Sequence, residues 1–204
     1  CIRTREYAFS QDGGLAVLNG NLGRGVIKTS ALRDGKTHIK APAVVFEDQF
    51  DLDRAFKAGE LDRDCIVVVR FQGPKAIGMP ELHRLTPPLG VLQDRGYQVA
   101  LVTDGRMSGA SGKVPAAIHV TPEAYDGGLL AKVQNGDIIE LNAENGELTL
   151  LVDDAELARR ENKLADINNH LQGMGREMFA GMRATLTGAE EGACSLFATQ
   201  VQNV

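Results

Sequence analysis

The chain is broken into short hydrophobic runs, and the longest of them is only Cys65–Val69. This run is rich in β-branched side chains and predicts a buried strand over 66–70. It is far shorter than the roughly 18 apolar residues that cross a bilayer. Residues 98–103 and 116–120 have the same character and predict two further strands. Turns rich in Gly, Pro and Asn separate these runs, so the chain must fold from many short elements.

Apolar residues at helical spacing predict a helix over 46–59, which a glycine ends. The stretch 78–94 has similar spacing, but prolines interrupt it. We therefore expect a short helix from about Pro80, a break at the pair Pro87-Pro88, and a second short helix.

Residues 137–141 and 147–152 predict an antiparallel pair, because their connection ends in Asn145-Gly146, a hairpin signal. An aspartate at 153 or 154 is expected to cap a charged helix that runs to about residue 162. Near the other end of the chain, residues 19–25 predict a turn-rich loop that precedes a short apolar pair.

Together these elements predict a mixed α/β fold, in which many short strands close into a small β-barrel with peripheral helices. The 204 residues are expected to form one domain, with a core at about 15–155 and a helical extension at about 155–204. Within the extension, Met174, Met178 and Met182 recur at helical spacing and predict a packing face.

Charge and composition exclude several classes of protein. Lys and Arg number 22 and Asp and Glu number 27, for a net charge of −5. This balance argues against a nucleic-acid partner and against binding to an anionic membrane. With 43% hydrophobic residues, the chain is also unlike a disordered one.

The cysteines are Cys1, Cys65 and Cys194, and they form no CxxC pair and no Cys/His pair at zinc spacing. An odd, scattered set favours a reducing compartment, and we expect a cytoplasmic protein. Cys65 is expected to be a small core residue at the start of its strand. There is no secretory signal pattern at the start of the chain.

The segment 103–115 is the densest candidate for chemistry. Its three glycines allow backbone N–H groups to converge on an anion. Arg106 and Lys113 add positive charge, and Ser108 and Ser111 add hydroxyls. Neither a phosphate-binding Walker loop nor a GxSxG nucleophile elbow fits the spacing. On spacing alone, an anion site and a tight structural turn remain equally open.

Two other features have a structural and a functional interpretation. His119 lies within a predicted strand, where a half-buried structural histidine is commoner than a base. Asp48 and Asp51 could share one face of the predicted helix and bind a metal ion. A solvated acidic first turn, which the helix dipole favours, is the more common arrangement.

The segment 103–112 (TDGRMSGASG) resembles the C-terminal signature of the dihydroxy-acid dehydratase/6-phosphogluconate dehydratase family. Residues 20–22 (GNL), and 73–74 (GP) with 78–81 (GMPE), resemble two further family blocks in the same order. The stretch 23–28 (GRGVIK) and the Phe-Gln before the GP pair look more like the 6-phosphogluconate branch than the branched-chain dihydroxy-acid branch.

This resemblance implies a barrel-like swivelling domain, the C-terminal domain of a longer dehydratase. The first residue, Cys1, is not Met, which is expected of a piece of a longer chain. The family's cluster-binding cysteines lie in an N-terminal domain, and none of the cysteines here matches them. The resemblance also implies a homodimer and a sugar acid phosphate as substrate. An iron–sulfur cluster, expected to be 4Fe-4S, and often Mg²⁺, would serve the elimination of water.

Residue by residue, the resemblance implies Ser108 as the base and Glu81 as a ligand of Mg²⁺. Arg106, Gly109, Ser111 and Lys113 are the expected substrate-binding positions. The implied reaction converts 6-phospho-D-gluconate to 2-dehydro-3-deoxy-6-phosphogluconate. A dihydroxy-acid or unphosphorylated sugar-acid dehydratase is the alternative within the family. A binding or assembly module without catalysis is the alternative outside it.

An alcohol side chain is a poor base unless something ionises it. One Arg at ~4 Å contributes roughly 4 kcal/mol, about 3 pKa units, which is too little at neutral pH. A metal ion lowers the pKa of a bound water from ~15.7 to ~7, a far larger change. Because Glu81 is the one obvious metal ligand of the chain, we expect the isolated chain to bind no cluster and to be catalytically silent.

Overall fold

A computed structural model describes residues 2–9, 13–30, 32, 36–107 and 113–196. The eight strands within this part close into a barrel in the order β1-β2-β6-β5-β4-β3-β7-β8. They are β1 (Leu15–Gly20), β2 (Gly23–Lys28), β3 (His38–Phe46), β4 (Cys65–Val69), β5 (Val99–Thr103), β6 (Ala116–Thr121), β7 (Ile138–Asn142) and β8 (Glu147–Leu150).

Helices lie outside this barrel. They are α1 (Gln49–Lys57), α2 (Pro74–Ile77), α3 (Thr86–Asp94), α4 (Asp154–Arg159), α5 (Met174–Met178) and α6 (Ala180–Ala184). The predicted mixed α/β barrel with peripheral helices is therefore confirmed. Among the described residues, no helix combines the length and the apolar character of a membrane span.

Parallel and antiparallel pairing divide the barrel into two parts. Strands β3, β4, β5 and β6 pair in parallel, whereas β1 with β2, β2 with β6, and β7 with β3 and β8 pair in antiparallel fashion. The barrel closes where Asn19 of β1 pairs in parallel with Glu147 of β8. Parallel strands need crossover connections, which here carry α1 and α3.

Strand β4 is buried on both of its faces, which explains its unbroken apolar sequence. Ile66 and Val68 point into the barrel core. Cys65 and Val67 point outward into a second apolar layer, which also contains Leu89 of α3. Cys65 is thus the small core residue that its position predicted.

The aspartates at the starts of α1 and α4 cap these helices, as the sequence predicts. Asp48 caps α1 by accepting a hydrogen bond from the N–H of Phe50, and Asp153 caps α4 in the same way. Asp51 forms an ion pair with Arg54. The aspartates at the start of α1 therefore form a capped, solvated first turn, as the helix-dipole interpretation predicted.

Three predictions for the chain before residue 95 are wrong. No helix begins near Pro80, and the pair Pro87-Pro88 lies in the first turn of α3 rather than breaking a helix. Proline fits there because the first helical N–H groups have no partner within the helix. The predicted loop 19–25 is instead the tight end of the β1–β2 hairpin. Its Asn21 side chain exchanges two hydrogen bonds of 2.8 Å with the backbone of Leu150.

The extension beyond α4 is largely exposed. Met174, Met178 and Met182 are 85%, 68% and 46% exposed, so the predicted packing face is not used within the described part of this chain. Arg176 attaches α5 to the domain by donating to the carbonyl of Ile77, at 3.1 Å. The predicted boundaries of core and extension stay a prediction.

Gly20→Ala should lower the free energy of unfolding by several kcal/mol. A Cβ at this position would lie 1.9 Å from the carbonyl oxygen of Leu148, so the seam between β1 and β8 would have to open. Gly90→Ala in α3 is the matched control, because a Cβ there meets nothing within 4 Å. It should raise stability by about 0.5–1 kcal/mol. Urea unfolding followed by circular dichroism measures both, and equal effects would contradict the seam geometry.

Candidate functional site

The candidate site is built where the parallel strands β3, β4 and β5 end. The carboxyl ends of parallel strands meet at one edge, where loops can bring polar groups together. Here β3 is followed by Glu47, β4 by residues 70–72, and β5 by Asp104. Two of the three blocks that carry the family resemblance, 73–74 with 78–81 and the one that starts at Thr103, begin at or just after this edge.

Asp104 holds this edge together. Its carboxylate accepts hydrogen bonds from the N–H of Gln72 at 2.9 Å, of Phe71 at 3.1 Å and of Ala124 at 2.9 Å. The side chain is fully buried, and this burial raises the pKa of Asp104 to about 6 although the hydrogen bonds act in the opposite direction. One carboxylate thus joins the segments that follow β4, β5 and β6.

Arg70 and Gln72 extend this network toward β3. The Gln72 amide donates to the carbonyl of Glu47 at 2.8 Å, and the Arg70 guanidinium contacts the Glu47 carboxylate at 3.0 Å. Arg70 is nearly buried, and its Nη1 donates to three backbone carbonyls, those of Leu130, Ala131 and Val133. A buried cation is tolerated here because an anion and several carbonyls surround it.

Glu123 is a second buried carboxylate, and it lies against the Gly73-Pro74 turn. It accepts hydrogen bonds of 3.3 Å from the N–H groups of Lys75 and Ala76. Burial raises the pKa of Glu123 to about 7. A Cβ at Gly73 would lie 2.1 Å from Glu123 Oε2, so any larger residue would have to displace this carboxylate.

The structure brings two of the predicted site residues, Glu81 and Arg106, into direct contact. Arg106 Nη1 lies 2.9 Å from Glu81 Oε2, and Arg106 Nε donates to the carbonyl of Met79 at 2.8 Å. The backbone of Leu82 donates to the carbonyl of Arg106 at 3.2 Å. A positively charged and a negatively charged group thus lie side by side at this edge of the barrel.

The backbone around this pair is strained. Phe71 and Met79 have φ values of 62° and 51°, in the left-handed region that residues other than glycine rarely adopt. Gly105 is required for a different reason, because a Cβ there would lie 2.7 Å from the Cβ of Gln72. Such strain persists only where surrounding contacts fix the conformation, and it is typical of functional sites.

Lys113 contacts an aspartate of α3 rather than the Glu81–Arg106 pair. Its ammonium group binds both carboxylate oxygens of Asp94, at 2.7 and 2.8 Å, at the end of α3. The structure therefore assigns Lys113 a protein partner, and its substrate-binding role stays a prediction. Ser108, Gly109 and Ser111 lie outside the described residues, so their predicted roles are unchanged.

The position of His119 beside the candidate site could not be predicted from the sequence. The residue is half-buried, as predicted, but its φ is 57° and its N–H donates to the carbonyl of Gly105 at 2.9 Å. Burial lowers the pKa of His119, and the nearby charge of Arg106 lowers it further. The imidazole is therefore close to the predicted site. For Asp104 and Glu123 the sequence contains one weak indication, which is that each carboxylate comes just after a predicted strand.

The described residues do not fit an iron–sulfur cluster. Burial raises the pKa of the Cys65 thiol to about 11, so it stays protonated within the apolar layer. Cys194 lies in the extension, where its sulfur accepts a hydrogen bond from the N–H of Leu196. No group of three His, Cys, Asp or Glu side chains that could hold a metal occurs in the described ranges. Glu81 could supply one carboxylate to Mg²⁺, which needs six ligands in total.

Replacing Asp104 should change how stability depends on pH. Because its folded pKa of about 6 exceeds its ordinary 3.8, the unfolded chain ionises first as the pH rises. The contribution of Asp104 to the free energy of unfolding is therefore complete below pH 3.8 and declines as the pH rises to about 6. The stability difference between the wild type and Asp104→Asn should therefore shrink over this window, by on the order of 3 kcal/mol.

Urea unfolding at several pH values measures this difference, and Asp62→Asn is the control at an exposed carboxylate. Curves for the wild type and Asp104→Asn that remain parallel between pH 4 and 6 would contradict the buried titration of Asp104.

Comparison with known proteins identifies the family. Over residues 1–193 the chain matches the family model described as "Dihydroxy-acid/6-phosphogluconate dehydratase C-terminal". It is 65% identical to the phosphogluconate dehydratase of Escherichia coli K12 over 192 residues, which are 94% of this chain and 32% of that protein. It is 59% identical to the enzyme of that name from Pseudomonas aeruginosa over 194 residues, 95% of this chain and 32% of that protein.

The phosphogluconate dehydratase of Zymomonas mobilis is 55% identical over 197 residues, 97% of this chain and 32% of that protein. The chain thus spans about a third of the length of these curated relatives. The match to the family model covers nearly all of the chain, including the Glu81–Arg106 pair and the segment that follows it. The chain therefore belongs to the dihydroxy-acid/6-phosphogluconate dehydratase family and corresponds to its C-terminal part.

Proposed function

We propose that this chain is the C-terminal domain of a 6-phosphogluconate dehydratase. The observation that carries the proposal is its 65% identity, over 94% of its length, to a phosphogluconate dehydratase. The reaction would remove water from 6-phospho-D-gluconate and give 2-dehydro-3-deoxy-6-phosphogluconate. The proposed partners are an N-terminal cluster-binding domain of the same protein and a second copy in a homodimer. The proposed compartment is the cytoplasm.

The chemistry requires a base, a cation near the substrate carboxylate, and help for the leaving hydroxyl. A base takes the proton from C2, the electron pair of that bond forms the C2–C3 double bond, and the C3 hydroxyl leaves as water after it gains a proton. The enol that results tautomerises to the 2-keto acid. The C2 proton is acidic because its negative charge spreads into the neighbouring carboxylate, where a cation stabilises it.

Arg106 is the proposed cation for the substrate carboxylate. In this structure it contacts Glu81, and the two side chains are 48% and 33% exposed. An ion pair this exposed contributes only about 0–1 kcal/mol, so a substrate carboxylate can replace Glu81 as the partner of Arg106 at little cost. Arg106 can form a two-point contact with a carboxylate, which also orients it.

Glu81, released from Arg106, is the proposed ligand of Mg²⁺, and the other ligands would come from the substrate, water or the rest of the full-length protein. When bound, Mg²⁺ would supply positive charge next to the substrate oxygens. The hydrogen bonds of Asp104 and of Gly105 fix the backbone before residue 106 relative to the turn after β4 and to Thr103 of β5.

Ser108 is the proposed base, and it needs an electrophilic centre to lower the pKa of its hydroxyl. The described cysteines do not fit a cluster, so that centre would belong to the rest of the full-length protein. The chain alone would therefore contain the proposed base but not the electrophilic centre that lowers the pKa of its hydroxyl.

The full-length protein should convert 6-phosphogluconate, whereas this chain alone should not. The reason is that the proposed electrophilic centre lies outside the chain. Formation of the 2-keto product, measured for both proteins with and without added Mg²⁺, tests this expectation. The unphosphorylated gluconate and a branched-chain dihydroxy acid are the comparison substrates. A full-length protein that turns over only a comparison substrate would overturn the assignment.

Ser108→Ala in the full-length protein should lower kcat by about 10²–10⁴-fold, because a positioned base contributes that much. The KM should change little, since the substrate is held by other groups. Ser30→Ala, at an exposed serine outside the site, is the matched control. A loss of only a few-fold in kcat for Ser108→Ala would favour a structural turn over a catalytic segment.

A further inference from the structure

A cavity with both charged and apolar walls lies on the outside of the barrel, and its lining contains neither Glu81 nor Arg106. Its volume is about 260 Å³, and its lining includes Val17, Arg24, Val26, His119 and Glu190. The barrel side is formed by β1, β2 and β6, and the opposite side by the turn that contains Glu190. No residue of this cavity has a part in the function proposed above.

Two of the strands that line this cavity, β2 and β6, are irregular where they pair with each other. The pairing of β2 with β6 shifts between Arg24 and Val26, which is a β-bulge. On β6, His119 has a φ of 57°, which is unusual for a residue in a strand. Bulges re-aim the side chains beside them, and non-glycine residues in the left-handed region are enriched at functional sites. These irregularities place Arg24 and His119 on one cavity.

His119 connects this cavity to the proposed reaction site. Its N–H donates to the carbonyl of Gly105, the residue before Arg106, at 2.9 Å. The charge of Arg106 is close enough to the imidazole to lower its pKa, in addition to the effect of burial. A neutral imidazole can donate one hydrogen bond and accept another. The cavity and Arg106 therefore both lie near His119.

An anion already contacts Arg24 in this structure. Glu190 Oε1 lies 3.4 Å from Arg24 Nη1, and the two side chains are 46% and 60% exposed. A pair this exposed is weak, so a ligand of higher charge can displace the carboxylate. A phosphate monoester carries up to two negative charges and three acceptor oxygens, and guanidinium groups bind it with two parallel hydrogen bonds.

We propose that the cavity between Arg24 and His119 binds the phosphate group of the substrate, and that Arg24 determines the preference for a phosphorylated sugar acid. The inference rests on the proposed function, because it places the two ends of one substrate on two arginines. Arg106 would take the carboxylate end and Arg24 the phosphate end, with His119 between them. Glu190 occupies the phosphate position when no substrate is bound.

The test uses the full-length protein with Arg24→Met, which removes the charge and keeps a long side chain. The KM for 6-phosphogluconate should rise by at least about 10-fold, since a charge-assisted contact is lost. The kcat/KM for gluconate, which has no phosphate, should change by less than about 3-fold. Arg24→Lys should recover part of the affinity, and Glu190→Gln should lower the KM for 6-phosphogluconate.

Arg183→Met is the matched control, because Arg183 lines two other surface cavities, on the side of α6. A rise in KM for Arg183→Met, with none for Arg24→Met, would overturn the proposal. Equal losses of kcat/KM on both substrates for Arg24→Met would overturn it as well, because they would indicate a structural role.

Binding of inorganic phosphate separates this inference from the proposed function. Calorimetric titration of the full-length wild type with phosphate should give binding that Arg24→Met weakens by at least about 10-fold. Phosphate binding that is equal in both proteins refutes the subsite whatever the enzyme turns over. Phosphate binding that depends on Arg24, in a protein inactive on 6-phosphogluconate, would support the subsite and reject the proposed substrate.

Discussion

The buried carboxylate of Asp104 is the interaction on which the rest of the site depends. It accepts three backbone hydrogen bonds from two different segments, so the turn after β4 and the turn after β6 are fixed relative to β5. Each of these N–H groups would otherwise be buried without a partner, which costs about 1–3 kcal/mol. The strained Phe71, the tight turn at Gly105 and the position of Arg106 all follow from this one anchor.

Around this rigid anchor, the charges that are proposed to bind substrate lie in exposed ion pairs. The Glu81–Arg106 and Arg24–Glu190 pairs are both exposed, whereas Arg70 is nearly buried beside Glu47. This contrast separates charges that maintain the fold from charges that can exchange partners. The proposed binding of an anionic substrate requires arginines of the second kind, which a fixed backbone positions and which a carboxylate neutralises until the substrate displaces it.

The barrel and its buried strands could be predicted from sequence because they depend on local patterns. The unbroken apolar run of β4 and the Asn-Gly turn between β7 and β8 are examples. The chain's resemblance to its family also pointed to Glu81 and Arg106, but not to their contact. Asp104 and His119 could not be recognised, because their roles come from segments distant in sequence. The error at Pro87 has another cause, since one proline can start a helix or break it.

The seam that closes the barrel has a consequence for how the domain assembles. Asn21 and Leu150, which meet there, are 129 positions apart, whereas the strands that carry Asp104 and its partners lie within the intervening chain. Contacts across so long a separation form slowly, because the loop entropy must be lost before the contact is gained. Strands β3, β4 and β5 can thus organise the candidate site while β1 and β8 are still apart. Closure of the barrel between β1 and β8 is then the step that would set the folding rate.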